Sequence, residues 1–340
     1  MAKGKALGLL MLLVAGLALS GAAAEVLTIY TAYDADQAQV YIEAFEATHP
    51  DIDVEWVRLS SGEVYTRLLA EAANPQASLW FGGSNTSHIA AAKAGLLEPY
   101  KESLAWQYIS PQFKDPDGLW IGLYVGYIGF VSNTEFLAEV GAEAPTSWQD
   151  LLKPEFKGEI TIAYAFASGT AYTTLAGMLT AIGSSDPGFD EEDEAYVAAF
   201  NEQVGQYNSS GSAAATMVGL GEFGVGCVFS HDIVKKAIAK GYPVVMTFPA
   251  EGTSYEIGGM ALIKGGPQLE LAKVFYDWAM TKEAQDLYEQ FFRLPLNPEA
   301  VLAEGSVKAT DVNVLPIDLV WYGDNKDAML DEWSEITGEY

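Results

Sequence analysis

The sequence predicts an α/β protein built on a parallel sheet covered on both faces; its alternating rhythm carries that prediction, and length and cysteine count bound the rest. Short runs rich in β-branched residues alternate with helix-periodic segments between residues 26 and 94. The 340 residues suffice for two domains. A single cysteine, Cys227, rules out an intramolecular disulfide and any cysteine-cluster metal site.

Residues 26–31 (VLTIYT) read as a buried strand and 34–48 as a helix with apolar residues at helical spacing. Residues 52–57 (IDVEWV) give a second strand. Residues 61–73 give a helix opened by Ser61, with Glu63 two residues behind that cap. A third strand, 78–81, ends in Gly82-Gly83 and leads to a helix over 85–94. The glycine- and aromatic-rich segment 118–132 (GLWIGLYVGYIGFVS) predicts two consecutive strands crossing between lobes, a buried hairpin being the alternative. Strands are expected again at 160–162, 216–229, 243–247 and 255–263 (YEIGGMALI), and helices at 169–182 and 268–291. The acidic run 190–194 (DEEDE) reads as a solvated loop or helix start, and the last thirty residues end in an acidic helix.

At the N-terminus Lys3 and Lys5 precede 14 unbroken apolar residues, 6–19, followed by Ala22-Ala23-Ala24. This pattern predicts a cleaved secretory signal peptide over residues 1–24 and a mature chain beginning at Glu25. The apolar stretch falls short of the roughly 20 residues that a membrane-spanning helix needs. No cysteine follows the cleavage site, which argues against a lipid anchor. The formal net charge is −28, and about −30 once Lys3 and Lys5 are removed. Such a surface disfavours nucleic acid and anionic membranes as partners, while backbone N–H groups at one site can still hold a small anion.

Catalytic signatures are missing from the sequence: it contains no HExxH, no GxSxG elbow and no GxxxxGK[ST] loop. Of its three histidines, His49 precedes Pro50 at a helix end and reads as a surface cap. Cys227 lies among Val225, Val228 and Phe229 and reads as a buried thiol. Ligand chemistry is instead expected at strand-to-helix turns, where helix N-termini point into a crevice. Four turns qualify: 31–34 with Tyr33, 81–88 with Ser84, Thr86 and His88, 166–171, and 229–232. In the third, Ser168 and Thr170 offer hydroxyls, Gly169 permits close approach, and Ala171 continues the N–H row. Ser168 serves there either as an anion ligand or as a simple N-cap. His231 and Asp232 either bond sugar hydroxyls or an oxyanion, or cap a helix with the histidine exposed.

The order of these features resembles the periplasmic substrate-binding proteins of ABC importers, more narrowly the branch of ferric-iron, aminoethylphosphonate and hexose-phosphate binders. The resemblance covers nearly the whole mature chain. It rests on LTIYTAYD at 27–34, SLWFGGSNTSHIAAAKAGLLEPY at 78–100, GYIGFVSNTEF at 126–136 and PTSWQDLLKPEFKGEI at 145–160. ASGTAY at 167–172, FSHDIVKKA at 229–237 and EGTSYEIGGMALIKG at 251–265 complete the series. It implies a type II binding-protein fold of two lobes, each a mixed sheet flanked by helices, with the ligand cleft between them. Residues 25–127 and 259–306 would form lobe 1, 128–258 lobe 2, and 307–340 a C-terminal helical tail. Crossings would fall near Tyr127-Ile128-Gly129 and Glu256-Ile257-Gly258-Gly259.

The resemblance also implies a function and a site. A monomeric, non-enzymatic periplasmic binder without cofactor would capture a small anionic organophosphate, such as a hexose phosphate, and deliver it to the ABC permease. Iron-binding relatives carry a tyrosine pair where this chain has Phe229-Ser230-His231-Asp232, and no Tyr-Tyr occurs anywhere. Ferric-iron ligation therefore loses its main donors. Ser168, Gly169, Thr170 and Ala171 would hold the phosphate, helped by Thr86 or His88. His231, Asp232 and Glu256 would bond hydroxyls, or an ammonium group in an aminoethylphosphonate.

Overall fold

The computed structural model describes residues 24–183 and 189–340, so the predicted leader lies outside the described residues except for Ala24. The first lobe opens with β1 (Glu25–Thr31), α1 (Ala35–Thr48), β2 (Ile52–Arg58), α2 (Ser61–Ala70), β3 (Leu79–Ser84) and α3 (Asn85–Lys93). After β4 (Leu97–Glu98) and the single turn α4 (Ala105–Tyr108) comes the long β5 (Ile121–Asn133). The second lobe contains α5 (Thr134–Val140), β6 (Ile160–Ala163), α6 (Gly169–Ile182), α7 (Glu191–Asn201), β7 (Val204–Asn208) and α8 (Ala213–Gly219). It continues with β8 (Val225–Phe229), α9 (Ser230–Lys236) and β9 (Val244–Thr247). The chain returns through β10 (Tyr255–Ile263), α10 (Leu269–Ala279), α11 (Lys282–Asp286) and β11 (Leu294–Pro295), and ends in α12 (Leu319–Asp324) and α13 (Lys326–Thr337).

The first sheet runs β2-β1-β3-β10-β5. Its β1–β2 and β1–β3 pairs are parallel, whereas β10 is antiparallel to both β3 and β5, so the sheet is mixed. The second sheet runs β5-β8-β6-β7, with β9 on the other side of β5. The purely parallel sheet expected from the alternating rhythm thus holds only for the opening strands.

Side-chain alternation along these strands builds a core on each face. Leu27, Ile29, Leu79, Phe81, Met260 and Leu262 point to the α1/α10 side. Tyr30, Trp80, Ala261 and Ile263 point to α2, α3, α6 and the C-terminal helices. In the second sheet Ile128, Phe130, Cys227 and Phe229 face one core, and Val131 and Val228 the other.

Segment 118–132 is one continuous strand, not two. The first part of β5 ladders with β10, Tyr127 opposite Tyr255, and the second with β8, Ile128 opposite Phe229. A change of partner looks like a strand break when only composition is visible. Tyr255 to Gly259 lie in the first sheet, although the sequence placed residues up to 258 with the second lobe. Residues 216–219 close helix α8 rather than opening a strand, and β8 starts at Val225 after a glycine turn. The helical pattern over 268–291 breaks at Thr281, which caps α11 through its hydroxyl. The DEEDE run starts α7, with Asp190 accepting from the N–H groups of Glu192 and Asp193.

The C-terminal helices touch both lobes. Tyr172 of α6 donates to the Tyr322 carbonyl (2.6 Å), Tyr65 of α2 donates to Asp327 (3.1 Å), and Asn201 donates to the Thr337 carbonyl (3.3 Å). Among the described residues no helix is long and apolar enough to cross a membrane.

Candidate ligand cleft between the lobes

Where strands end, the chain delivers polar groups to one place. Asp34 follows β1, Arg58 ends β2, Ser84 ends β3, Ser168 follows β6, Ser210 to Ser212 follow β7, and His231 and Asp232 follow β8. This convergence at the carboxyl ends of parallel strands is the expected position of a ligand crevice in open α/β sheets. With Glu256 from β10 and Arg293 before β11, they line one cavity.

The two lobes meet directly around it. The Gly62 N–H donates to the Ala167 carbonyl (2.9 Å), and Ser60 Oγ donates to the Ser209 carbonyl (2.9 Å). Arg58 Nη2 donates to Ser210 Oγ (3.1 Å), and Lys236 Nζ lies 2.6 Å from Asp34 Oδ2. The described conformation is therefore the closed one.

One end of the cavity is made of hydroxyls and helix amides. α6 begins there, and Ser168 at its N-cap position makes no side-chain cap bond, leaving its hydroxyl and the first-turn N–H groups facing the cavity. Gly211 packs so closely on this turn that a Cβ would stand 2.2 Å from Thr170 Oγ1 and 2.7 Å from Ser168 Oγ. Gly169 is hemmed similarly, with Ser84 Oγ 2.5 Å and Ser61 Oγ 3.0 Å from where its Cβ would be. Arg58 brings a cation to this end, its Nη1 donating to Ser60 Oγ (3.1 Å).

The other end concentrates buried ionisable groups. Arg293 donates through Nη2 to Gln37 (3.2 Å) and stacks over Tyr124 and Tyr33, at 4.2 and 5.2 Å from their ring centres. Its Nε and Nη1 are buried and without a hydrogen-bond partner. Phe292, at φ 54°, is the non-glycine residue found in the left-handed region among the described residues, and it turns the chain so that Arg293 enters the cleft. Glu256 accepts from Ser84 Oγ (2.6 Å) and lies 3.7 Å from Arg293. Burial raises its carboxyl to about 7, against the opposing charge of Arg293. Burial likewise raises Asp232 to about 6. His231 stacks on Phe229 and is held well below its usual pKa by burial and by Arg293. Both its ring nitrogens lack hydrogen-bond partners, Nε2 lying 3.6 Å from Asp232 Oδ2.

Of the residues singled out from sequence, Ser84, Ser168, Gly169, Thr170, His231, Asp232 and Glu256 line this cavity. Tyr33, Thr86, His88 and Ala171 do not. Tyr33 is buried beneath the wall, its hydroxyl 2.8 Å from that of Tyr288. Ala171 faces the second lobe's core. His88 stacks on Trp80 at 3.8 Å, and burial lowers it to about 3, so it is a neutral core residue. Thr86 is buried on the same helix turn. The direction of α3 explains the correction: its N-cap Ser84 reaches the cleft, and the following turn packs against β3 and β10.

Sequence reasoning singled out the turn 31–34 but chose Tyr33 there rather than Asp34, and it missed Arg58, Ser61, the Ser210-Gly211-Ser212 turn and Arg293. One signal could have found two of them. The chain has only three arginines, Arg58, Arg67 and Arg293, and two of the three converge here.

A closed two-lobed α/β clamp around a polar cavity defines a solute-binding protein. Residues 40–314 match the family described as bacterial extracellular solute-binding protein, and the chain belongs to it. It is a periplasmic solute-binding protein of an ABC importer, with the type II binding-protein fold. A protein of Haemophilus influenzae is 35% identical over 335 residues, covering 95% of this chain and 94% of that one. The periplasmic binding protein AfuA of Actinobacillus pleuropneumoniae, solved with exogenous fructose-6-phosphate, is 32% identical; the match covers 93% of this chain and 99% of AfuA at a TM-score of 0.87. The periplasmic binding protein P5PA is 30% identical, the match covering 92% of this chain and 99% of P5PA at a TM-score of 0.85.

Proposed function

We propose that the cavity binds a phosphorylated polyol of hexose-phosphate size, without chemical conversion, for delivery to the importer's membrane subunits by a monomeric protein freed of its leader. The N-terminus of α6 carries the assignment. A 14-residue helix points its first amides at the cavity, and Ser168 leaves them uncapped. Oriented N–H groups and the helix dipole favour an anion at that point. Ser168, Thr170 and Ser61 add hydroxyl donors, and Arg58 adds charge-assisted ones.

The far end suits hydroxyls. Carboxylates such as Asp232 and Glu256 can accept from more than one solute hydroxyl, while Arg293 and His231 hold nitrogens without hydrogen-bond partners. AfuA, solved with fructose-6-phosphate, gives the reading a precedent in a relative. An ammonium-bearing phosphonate is the competing solute, because two carboxylates also accept from a cation. The positive charge of Arg293 between them favours the neutral polyol.

The experiment is calorimetric titration with fructose 6-phosphate, fructose, inorganic phosphate and 2-aminoethylphosphonate. Asp232→Ala is expected to weaken fructose 6-phosphate binding and spare inorganic phosphate, whereas Thr170→Val weakens both. Tighter binding of the phosphonate, or no binding of any phosphorylated compound, overturns the assignment. Release of inorganic phosphate from fructose 6-phosphate overturns the non-enzymatic part.

A further inference from the structure

We propose that Asp34 is the latch of the closed cleft, a first-lobe carboxylate that grips Lys236 and Ser212 of the second lobe and orients Arg58 in the cavity wall. Asp34 occupies the N-cap position of α1, where an aspartate ordinarily accepts from the helix's own first amides. Its side chain makes no such bond. It turns across the cleft instead. Ser212 Oγ donates to its two oxygens at 2.9 and 3.2 Å, and Lys236 Nζ lies 2.6 Å from Oδ2. Lys236 also donates to Ser212 Oγ (2.8 Å), closing a three-membered ring of partners between the lobes.

On its own lobe, Asp34 Oδ1 accepts from Arg58 Nη2 at 3.4 Å, and the same nitrogen donates to Ser210 Oγ at 3.1 Å. Arg58 is thereby fixed between the two lobes. Lys236 is engaged by Asp34 outside the cavity lining, in which the cations are Arg58 and Arg293. The Asp34 and Lys236 side chains keep only 24% and 25% of their exposure. A pair so enclosed is screened less than a surface ion pair and contributes more. Asp34 acts through closure and through Arg58; it is a positioning residue.

The latch requires that a solute bind between the lobes but not that it carry a phosphate. The test uses the full mature protein with Asp34→Asn, Lys236→Met, the double variant and Lys236→Arg. Small-angle scattering of the free protein reads the balance of open and closed forms, and stopped-flow release of fructose 6-phosphate reads escape. Each single variant is expected to enlarge the radius of gyration. Each is also expected to raise the release rate about tenfold or more, the scale for losing one partner of a desolvated charge pair. The double variant is expected to be no worse than the worse single, and Lys236→Arg to stay near wild type. Thermal melts establish that each variant is folded, and Lys236→Met serves if Asp34→Asn is not. Effects of the two single variants that add, or scattering and release at wild-type values, overturn the latch. If fructose 6-phosphate fails to bind the wild type, the solute assignment falls and the scattering result alone decides the latch.

Discussion

At one end of the cavity Ser61, Ser168, Thr170 and Gly211 present hydroxyls and helix amides; at the other Arg293, Asp232, Glu256 and His231 crowd ionisable groups into buried space. Both ends join the two lobes, and main-chain bonds such as Gly62 to Ala167 cross beside the first. Hydroxyls and amides lose comparatively little on leaving water, so this surface can open and close with the lobes. The second end cannot rely on closure alone. Its charges must compensate one another once the lobes close, which is why Arg293 stands beside both carboxylates and why Glu256 has Ser84 as a donor. At the first end hydroxyls and amides face the solute while the Asp34–Lys236 pair and Arg58 join the lobes beside them; at the second, the buried charges themselves must balance.

Removing the shared cation should break the comparison most strongly. Arg293→Leu strands Asp232 and Glu256 in a buried site and is expected to cost about 3–5 kcal/mol in urea unfolding. A change below 1 kcal/mol would mean the charged end is not internally compensated by Arg293.

The carboxyl of Glu256 gives the next effect, through pH. Its folded value of about 7 lies above the ordinary 4.5, so the folded chain holds more protons than the unfolded one between those limits. Stability is therefore expected to fall as pH rises from 4.5 to 7 and to level off above, by up to roughly 3 kcal/mol for this one group. Glu256→Gln should flatten that slope in thermal melts followed across the range, leaving the smaller fall from Asp232, whose value of about 6 also lies above the ordinary 3.8.

Gly62→Ala sharpens the comparison at the closing end. Alanine favours the helix interior over glycine, yet its Cβ would stand 2.0 Å from the Phe166 carbonyl oxygen across the cleft. The free protein should keep or gain stability while fructose 6-phosphate affinity drops about 100-fold, or about 2.7 kcal/mol. Unchanged affinity would show that closure tolerates a wider gap. The smallest effect belongs to His88→Leu, which trades a core imidazole on Trp80 for an aliphatic side chain. Affinity is expected to stay within about twofold, with stability changing by about 1 kcal/mol, since volume-conserving core swaps cost little.

Much of the fold was legible because its strands keep a period of two and its helices a period near four. β10 matches the expected strand over 255–263, and α6 the expected helix. β5 was misread because a strand that changes sheet carries glycines for close packing at Gly122, Gly126 and Gly129, and glycines also signal turns. Residues 216–219 were misread because β-branched composition suits a buried helix end as well as a strand.

The same division applies to the cleft. Local chemistry alone announced Ser168-Gly169-Thr170 and His231-Asp232, since each follows a strand and opens a helix. Thr86 and His88 met the same local rule and lie in the core, because the rule cannot say which side of a helix turns to the crevice. Arg293 carried no local signal at all; a left-handed Phe292 and a long return path bring it beside Glu256. By itself the sequence determined most of the elements, the strand-end turns and the acidic balance, because these depend on neighbours a few residues apart. Only the tertiary structure decided which turns share a cavity, where the arginines meet the carboxylates and how Asp34 reaches Lys236. Those contacts join residues up to hundreds of positions apart, and only the packing of the two lobes brings them together.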